Sequence, residues 1–409
     1  MYRLDLSQAA TPRLLKKRPR HRWFWFPHSY SPELVEAILE HWELSRDSHL
    51  LDPFVGAGTT LLVAKERGMP ATGVDISPLA VRVSRAKVAD YDRKHLERLL
   101  SLIVEEASAK TFGEEGISLS EEEVPERMRR AFTISELAAL YAIREVIFSL
   151  TSGAEQDFFL IALLATAKAY SRAVADGGWF RWVKREEASP KDIVMHFQKQ
   201  VLGMLTEVNS TSINSDGLID IYQGDARHLN KLLGSYDAVI TSPPYPNRHD
   251  YSRVFHIELL LLGQDEPAIK RLRYVSIRSH VEAKAPCETC NDNTYRPPSR
   301  LSELLAQLPG EVDRRVPRML EGYFQDLYSV FRSIYSVLTP GAKLAFVVGN
   351  VRHGGILFPV DEILIDVGEK AGYHWTGAWV IRLRGNSAQQ MGRFGRVPAR
   401  ESVVFFTKR

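Results

Sequence analysis

Cysteine is nearly absent: the 409 residues contain only Cys287 and Cys290. That excludes a disulfide framework and favours a reducing compartment. No apolar run is long enough for a membrane. The longest, residues 158–167, is about half of the roughly 20 residues a span requires and reads as a buried helix. The basic start of the chain (Arg13, Lys16, Lys17, Arg18) has no apolar stretch behind it of the kind a signal peptide needs. A soluble cytoplasmic protein without membrane contact is expected. Net charge is small as well, +3 with 25% charged residues. That composition argues against global disorder and permits nucleic-acid binding without demanding it, so the placement of charge has to decide. What the chain does have is 44% hydrophobic residues, enough for one large domain with insertions or for two domains.

The pattern from His49 to Ala89 is strand, glycine-rich turn, helix, strand. Leu50 and Leu51 lead into the turn, residues 59–67 form a helix with Gly68 at its C-cap, and residues 71–74 form a second strand ending in Asp75. This βαβ unit predicts an α/β fold with a parallel sheet. Leu96, Leu99, Leu100 and Ile103 fall at helical spacing, and Thr133 with Glu136 makes a capping box for a helix through Leu150. Strand signals are scarce between residues 91 and 215, so this segment reads as a helical insertion. Strand texture returns at residues 219–222 and 236–241. A second insertion, polar and rich in Pro and Arg, begins at Gly263. An amphipathic helix over 323–338, ending at Thr339-Pro340-Gly341, then leads into strands at 343–348, 375–383 and 402–407, with a helix over 361–371.

Asp52-Pro53-Phe54-Val55-Gly56-Ala57-Gly58-Thr59-Thr60 sits where a strand hands over to a helix. Its glycines let a ligand approach the backbone, and the helix start offers free N–H groups. The lysine of a phosphate-binding Walker loop is missing. Asp75, ending the next strand, is placed to accept hydrogen bonds from a ribose, which NAD and S-adenosylmethionine both carry. An ordinary tight turn with Asp75 as a helix cap fits the same residues. Asp225, in Gln223-Gly224-Asp225-Ala226, suits either an adenine amino group or a helix cap.

A buried-type strand, Asp237-Ala238-Val239-Ile240, runs into Thr241-Ser242-Pro243-Pro244-Tyr245. The paired prolines stiffen the strand end and leave carbonyls free of local donors. Ser242 offers a hydroxyl and Tyr245 a flat ring. The amino group of a nucleobase is a poor nucleophile because its lone pair is delocalised into the ring. Its N–H groups, bonded to the Ser242 hydroxyl and the Pro243 carbonyl, would draw the nitrogen toward tetrahedral geometry. Direct attack on a methyl group then needs mainly positioning, with Tyr245 stacked on the flipped base.

Together these segments resemble the amino-methyltransferases of bacterial DNA modification. Residues 52–60 look like the family's cofactor motif, and residues 241–245 like its Ser-Pro-Pro-Tyr catalytic motif. The resemblance covers about half the chain, roughly residues 21–90, 219–262 and 321–409. It implies a Rossmann-like methyltransferase sheet with one antiparallel strand at the edge, and S-adenosylmethionine as cofactor. Asp52, Phe54, Gly56, Gly58, Thr59, Thr60, Asp75, Ile76 and Asp225 would hold that cofactor, with Trp23 through Leu34 packing over its methionine end. Ser242, Pro243, Pro244 and Tyr245 would be catalytic. Double-stranded DNA is the implied partner, with a cognate restriction endonuclease as a further candidate. Serine in the catalytic motif is typical of cytosine-N4 enzymes; adenine-N6 enzymes more often carry Asp or Asn there. The cofactor motif precedes the catalytic one, the reverse of the commonest cytosine-N4 order, so the target-reading segment is not assigned by order. The expected division is a catalytic domain (1–90, 216–262, 321–409), a helical insertion (91–215, candidate target recognition) and a second insertion (263–320, candidate DNA contact).

Five arginines and no acid lie between Ile381 and Arg400. Of these, Arg393, Arg396 and Arg400, beside Gly392 and Gly395, suit phosphate contacts, as they also suit a solvated loop. Residues 16–22 are a second basic stretch, a backbone contact or a tail. The Trp and Arg mixture at 179–185 can stack on bases, although Trp at that density is commonly core. Cys287 and Cys290 have half a zinc knuckle's spacing, but without a second pair no metal is expected. His249 and His256 flank the catalytic motif and could bond near the base. Two other readings fit part of the pattern. A tRNA guanine-N2 methyltransferase would usually show Asp-Pro-Pro-Tyr and a separate N-terminal RNA-binding domain, for which the stretch before Leu50 is short. A non-catalytic nucleotide-binding regulator would not need Ser242 and its prolines.

Overall fold

The computed structural model describes every residue except 113–118, 121, 177–178, 209–216, 233, 285–294 and 386–387. Seven strands form the main sheet: β1 (Leu50–Asp52), β2 (Ala71–Asp75), β3 (Ile219–Gln223), β4 (Tyr236–Thr241), β5 (Leu338–Gly349), β6 (Tyr373–Arg384) and β7 (Ala399–Lys408). Their order is β6-β7-β5-β4-β1-β2-β3. The chain builds outward from β1 through β2 to β3, then returns to place β4 on the other side of β1, parallel to it. The carboxyl ends of β1 and β4 therefore form a topological switch point, where open α/β sheets bind ligands.

The Rossmann-like α/β architecture expected from the sequence is present, with one correction to the sheet. The antiparallel strand, β7, is not at the edge but pairs with both β5 and β6. β6 runs out along the rim and β7 turns back into the gap beside β5. The exposed rim of β6 is covered by the chain start: Val380 N–H donates to the Met1 carbonyl at 2.8 Å and Arg3 N–H to the Val380 carbonyl at 2.9 Å, which blunts an otherwise open sheet edge.

The described residues of 91–208 are mainly helical, as expected. The capping box is present: Thr133 accepts from Glu136 N–H (3.3 Å) while the Glu136 carboxylate accepts from Thr133 N–H (2.8 Å). Phe158 to Ala167 lies inside the buried helix Gly153–Tyr170. Among the described residues no helix is long and apolar enough to cross a membrane. A hairpin, Ala173–Asp176 with Trp179–Trp182, also forms here; its four-residue strands are too short to give a period-2 signal. The helical segment is not separately cored. Its apolar residues share one cluster with Trp23, Phe24 and Phe26, with Leu79, Val83 and Ala86 of the helix after β2 (Pro78–Val88), and with Phe255 and Leu259.

The long amphipathic helix begins earlier than its sequence period suggests, covering Arg315–Val337. The Thr339-Pro340-Gly341 expected to end it already belongs to β5. The second insertion contributes helices Glu266–Val275 and Ser299–Ala306.

Candidate active site

At the switch point the two sequence motifs meet. The Thr241 hydroxyl donates to Asp52 at 2.6 Å, and Asp52 also accepts from Phe54 N–H (3.1 Å) and the Tyr30 hydroxyl (3.4 Å). Asp52 is buried; burial raises its pKa to about 6 against the pull of the Thr241 and Phe54 bonds. Its oxygens thus clamp the glycine turn to the end of β4. Gly58 starts the following helix, Thr59–Glu66, in the left-handed region (φ +75°), and a Cβ there would sit 3.0 Å from Ser84. Any other residue there would carry left-handed strain and crowd Ser84.

A cleft of about 1200 Å³, open mouth included, lies beside this clamp. Phe54, Gly56, Thr59, Asp75, Ile76 and Asp225 line it, together with Phe26, His28, Tyr30, Ser242 and Pro244. Asp52, Gly58 and Thr60 do not; they hold the walls from behind, Thr60 by its bond to Tyr30 at 2.5 Å. Asp75 accepts Gly56 N–H and Ser77 N–H, each at 2.9 Å, and burial raises its pKa to about 6. A carboxylate so placed keeps lone pairs for further donors. Asp225 is engaged by the Arg227 fork at 2.6–3.1 Å, and Arg227 reaches on to the Val275 carbonyl (2.6 Å). Asp225 therefore ties the β3 loop to the roof of the cleft.

Sequence reasoning missed that roof. Tyr251, Phe255, Leu272, Val275, Ile277 and His280 close the cleft, so the start of the second insertion forms part of its wall. It also missed Lys87. This lysine is buried, donates to the carbonyls of Ala57 (3.0 Å) and Phe24 (3.4 Å), and is pushed down to about 7 by burial. It fastens the glycine turn to the N-terminal strap that carries Phe26, His28 and Tyr30. A lone Lys in a helix gives no such signal in sequence. The mixture of apolar and aromatic wall with carboxylates and hydroxyls fits a nucleoside carrying a cationic sulfonium.

Ser242 lines the same cleft, and its hydroxyl has no partner among the described residues. Pro243 is buried behind it. Tyr245 does not line the cleft: its hydroxyl donates to Glu401 (3.0 Å) and the Arg384 guanidinium lies 5.7 Å from its ring centre. Burial pushes the Tyr245 phenol well above its ordinary value, so it is a neutral donor. Gly349, at the end of β5, makes room for both; a Cβ there would come within 2.8 Å of the Tyr245 ring and 2.7 Å of Arg384. His249 packs edge-on against His28 with centroids 4.6 Å apart. Enclosure, then His249 and Arg384, lower the His28 pKa. His256 is buried on Glu266 at 2.8 Å, away from the cleft.

The basic stretches divide in the same way. Arg18 pairs with Glu36 (2.6 Å), Arg20 is buried among backbone carbonyls, and Arg22 pairs with Glu207 (2.6 Å), so residues 16–22 are packed onto the fold and are not a tail. Trp182 is partly buried beneath the Arg130 guanidinium at 4.0 Å. Arg400 is held by Asp361 (3.1 Å) and Glu362 (2.5 Å). Arg393 pairs with Glu311 at 2.6 Å on the surface, while Arg396 is exposed with no acidic partner among the described residues. Cys287 and Cys290 lie outside the described residues.

No family model matches the chain. The type II methyltransferase M.BsoBI of Geobacillus stearothermophilus is 30% identical over 446 aligned positions, spanning 96% of this chain and 86% of that protein. The chain belongs to the type II DNA methyltransferase family. M.AvaI of Nostoc sp. (strain PCC 7120) is 28% identical across 96% of this chain and 87% of its own length. M.MvaI of Kocuria varians is 22% identical across 88% and 83%. S-adenosylmethionine is the cofactor of this DNA methyltransferase.

Proposed function

We propose that this type II DNA methyltransferase transfers its methyl group to the N4 amine of a cytosine flipped out of double-stranded DNA. The observation that carries the reading is Ser242: a hydroxyl without a partner among the described residues, at the end of β4, lining the cleft that Asp75 and the glycine turn also line. When bound, S-adenosylmethionine supplies an electrophilic methyl group. Asp75 would accept the ribose hydroxyls, while Phe54, Gly56, Thr59, Ile76 and Asp225 shape the nucleoside site. Asp52, Gly58, Thr60 and Lys87 would fix its walls. Ser242 and the Pro243 carbonyl would accept the two amine N–H bonds, so that the nitrogen lone pair points at the methyl carbon. Pro244 stiffens the turn. Tyr245, braced by Glu401 and Arg384, would hold the base-facing side of that turn in place.

On the DNA side, Arg393 and Arg396 would contact phosphates, whereas the pairing of Arg400 to Asp361 and Glu362 leaves it a structural role. Residues 91–215, whose hairpin packs close to the helices after the catalytic turn, would contribute to target recognition, and a cognate restriction endonuclease would share the target. A cytoplasmic location goes with these roles.

Incubation with unmethylated genomic DNA and labelled cofactor, followed by nucleoside analysis, tests the base. N4-methylcytosine is the expected product. N6-methyladenine would overturn the cytosine assignment, and label confined to tRNA would overturn the DNA substrate.

A further inference from the structure

Three residues other than glycine have a clearly positive φ among the described residues: Arg20, Glu43 and Arg248. Glu43 ends the helix Pro32–Trp42 as its C-cap, a place where left-handed backbone is common. Arg20 is a buried cation surrounded by the carbonyls of Lys87, Ala89 and Val208. Arg248 (φ 71°) is neither a cap nor buried. It lies three residues after Tyr245, in a backbone conformation that strains any L-residue and that glycine adopts freely. Its loop is tight: Asn247 N–H donates to the Tyr245 carbonyl (2.7 Å), Arg248 N–H to the Ser279 carbonyl (3.1 Å), and His249 N–H to the Asn247 side chain (3.1 Å). Strain retained at such a position is a pointer to use of the side chain.

The Arg248 side chain is 47% exposed and faces a cleft formed with Glu311, Val312, Asp313, His353, Arg393 and Phe394. This cleft abuts the catalytic turn, because His353 Nε2 donates to the Pro246 carbonyl at 2.9 Å. The acids in it are largely spoken for. Asp313 takes the Arg315 fork at 2.7–3.2 Å and is held down to about 2 by it, whereas Arg248 approaches no closer than 3.8 Å. Across the cleft Arg393 reaches Glu311 through an exposed pair, a weak, solvent-screened contact that is easily exchanged. Two guanidiniums thus flank a surface cleft next to the Ser242–Pro246 turn, one under-neutralised and one loosely paired. Their forked donors match phosphate oxygens.

We infer that Arg248, with Arg393 opposite it, is a DNA-phosphate site that seats the backbone beside the flipped base. This rests on the double-stranded DNA reading above. The decisive variant is Arg248→Gly, since glycine accepts the left-handed backbone while the side chain and its guanidinium are removed. Binding of a fluorescent duplex of random sequence is measured over a salt series, in the presence of S-adenosylhomocysteine. Melting temperature is followed alongside. Arg248→Gly should melt at or above the wild-type temperature and bind duplex about 5- to 10-fold more weakly near 0.1 M salt. The slope of log affinity against log salt should fall by about one. Arg248→Lys should recover part of both losses. Wild-type binding matched by Arg248→Gly in affinity and slope would overturn the phosphate site alone. A wild type that binds no duplex at low salt would overturn the DNA reading itself, and the site with it.

Discussion

Replacing Ser242 with alanine is expected to lower turnover by about 100- to 1000-fold while leaving cofactor affinity within about twofold. The size follows from the loss of one positioned polar contact to the reacting amine, comparable to deleting one donor from a preorganised catalytic site. The selectivity follows from the structure. The Ser242 hydroxyl bonds to no other described group, so its removal strands nothing and the turn stays clamped by Thr241 on Asp52. The variant should therefore melt as the wild type does. Single-turnover kinetics with DNA, beside calorimetric binding of S-adenosylhomocysteine, check both halves. Weakened cofactor binding with unchanged turnover would mean that Ser242 belongs to the cofactor wall.

The second large effect is at Asp75. Asp75→Ala should weaken S-adenosylhomocysteine binding by about 100-fold, close to 2.7 kcal/mol, since charge-assisted bonds to ribose and the brace on Gly56 N–H are lost together. The wild-type pH dependence carries the same signature. Burial holds Asp75 near 6 in the folded protein, above its ordinary 3.8. For folding alone, a raised carboxyl pKa favours the folded state at low pH, and that contribution is lost as pH rises through about 6. Ribose binding has the opposite sign because it needs the carboxylate. Affinity should be flat above about pH 7 and fall toward tenfold per pH unit below 6. Asp52 titrates near 6 as well, so Asp75→Asn is the control. It should lose most of that slope, and an unchanged slope would move the effect to Asp52.

How much of this was legible in the sequence depended on how local each signal was. The glycine turn, Asp75, the Thr133–Glu136 capping box and the strand into Ser242 are set by neighbours in the chain, and each stands where its pattern put it. Gly349 reads as a strand end, and only the packed structure shows that it vacates space for Tyr245 and Arg384. Tyr245 reads as a stacking ring; pairing with Glu401, 156 positions away, turns it toward the sheet. Lys87 and the roof over 251–280 were invisible because their partners lie on distant segments. Arginine counting overstated the DNA surface, since Arg400 is tied to acids from the helix Val360–Lys370.

A crystal structure with S-adenosylhomocysteine bound tests the site most directly. The ribose hydroxyls should lie within hydrogen-bond distance of the Asp75 carboxylate, with the sulfur facing the Ser242 hydroxyl across the cleft. A nucleoside seated elsewhere, with Asp75 and Ser242 untouched, would contradict the account.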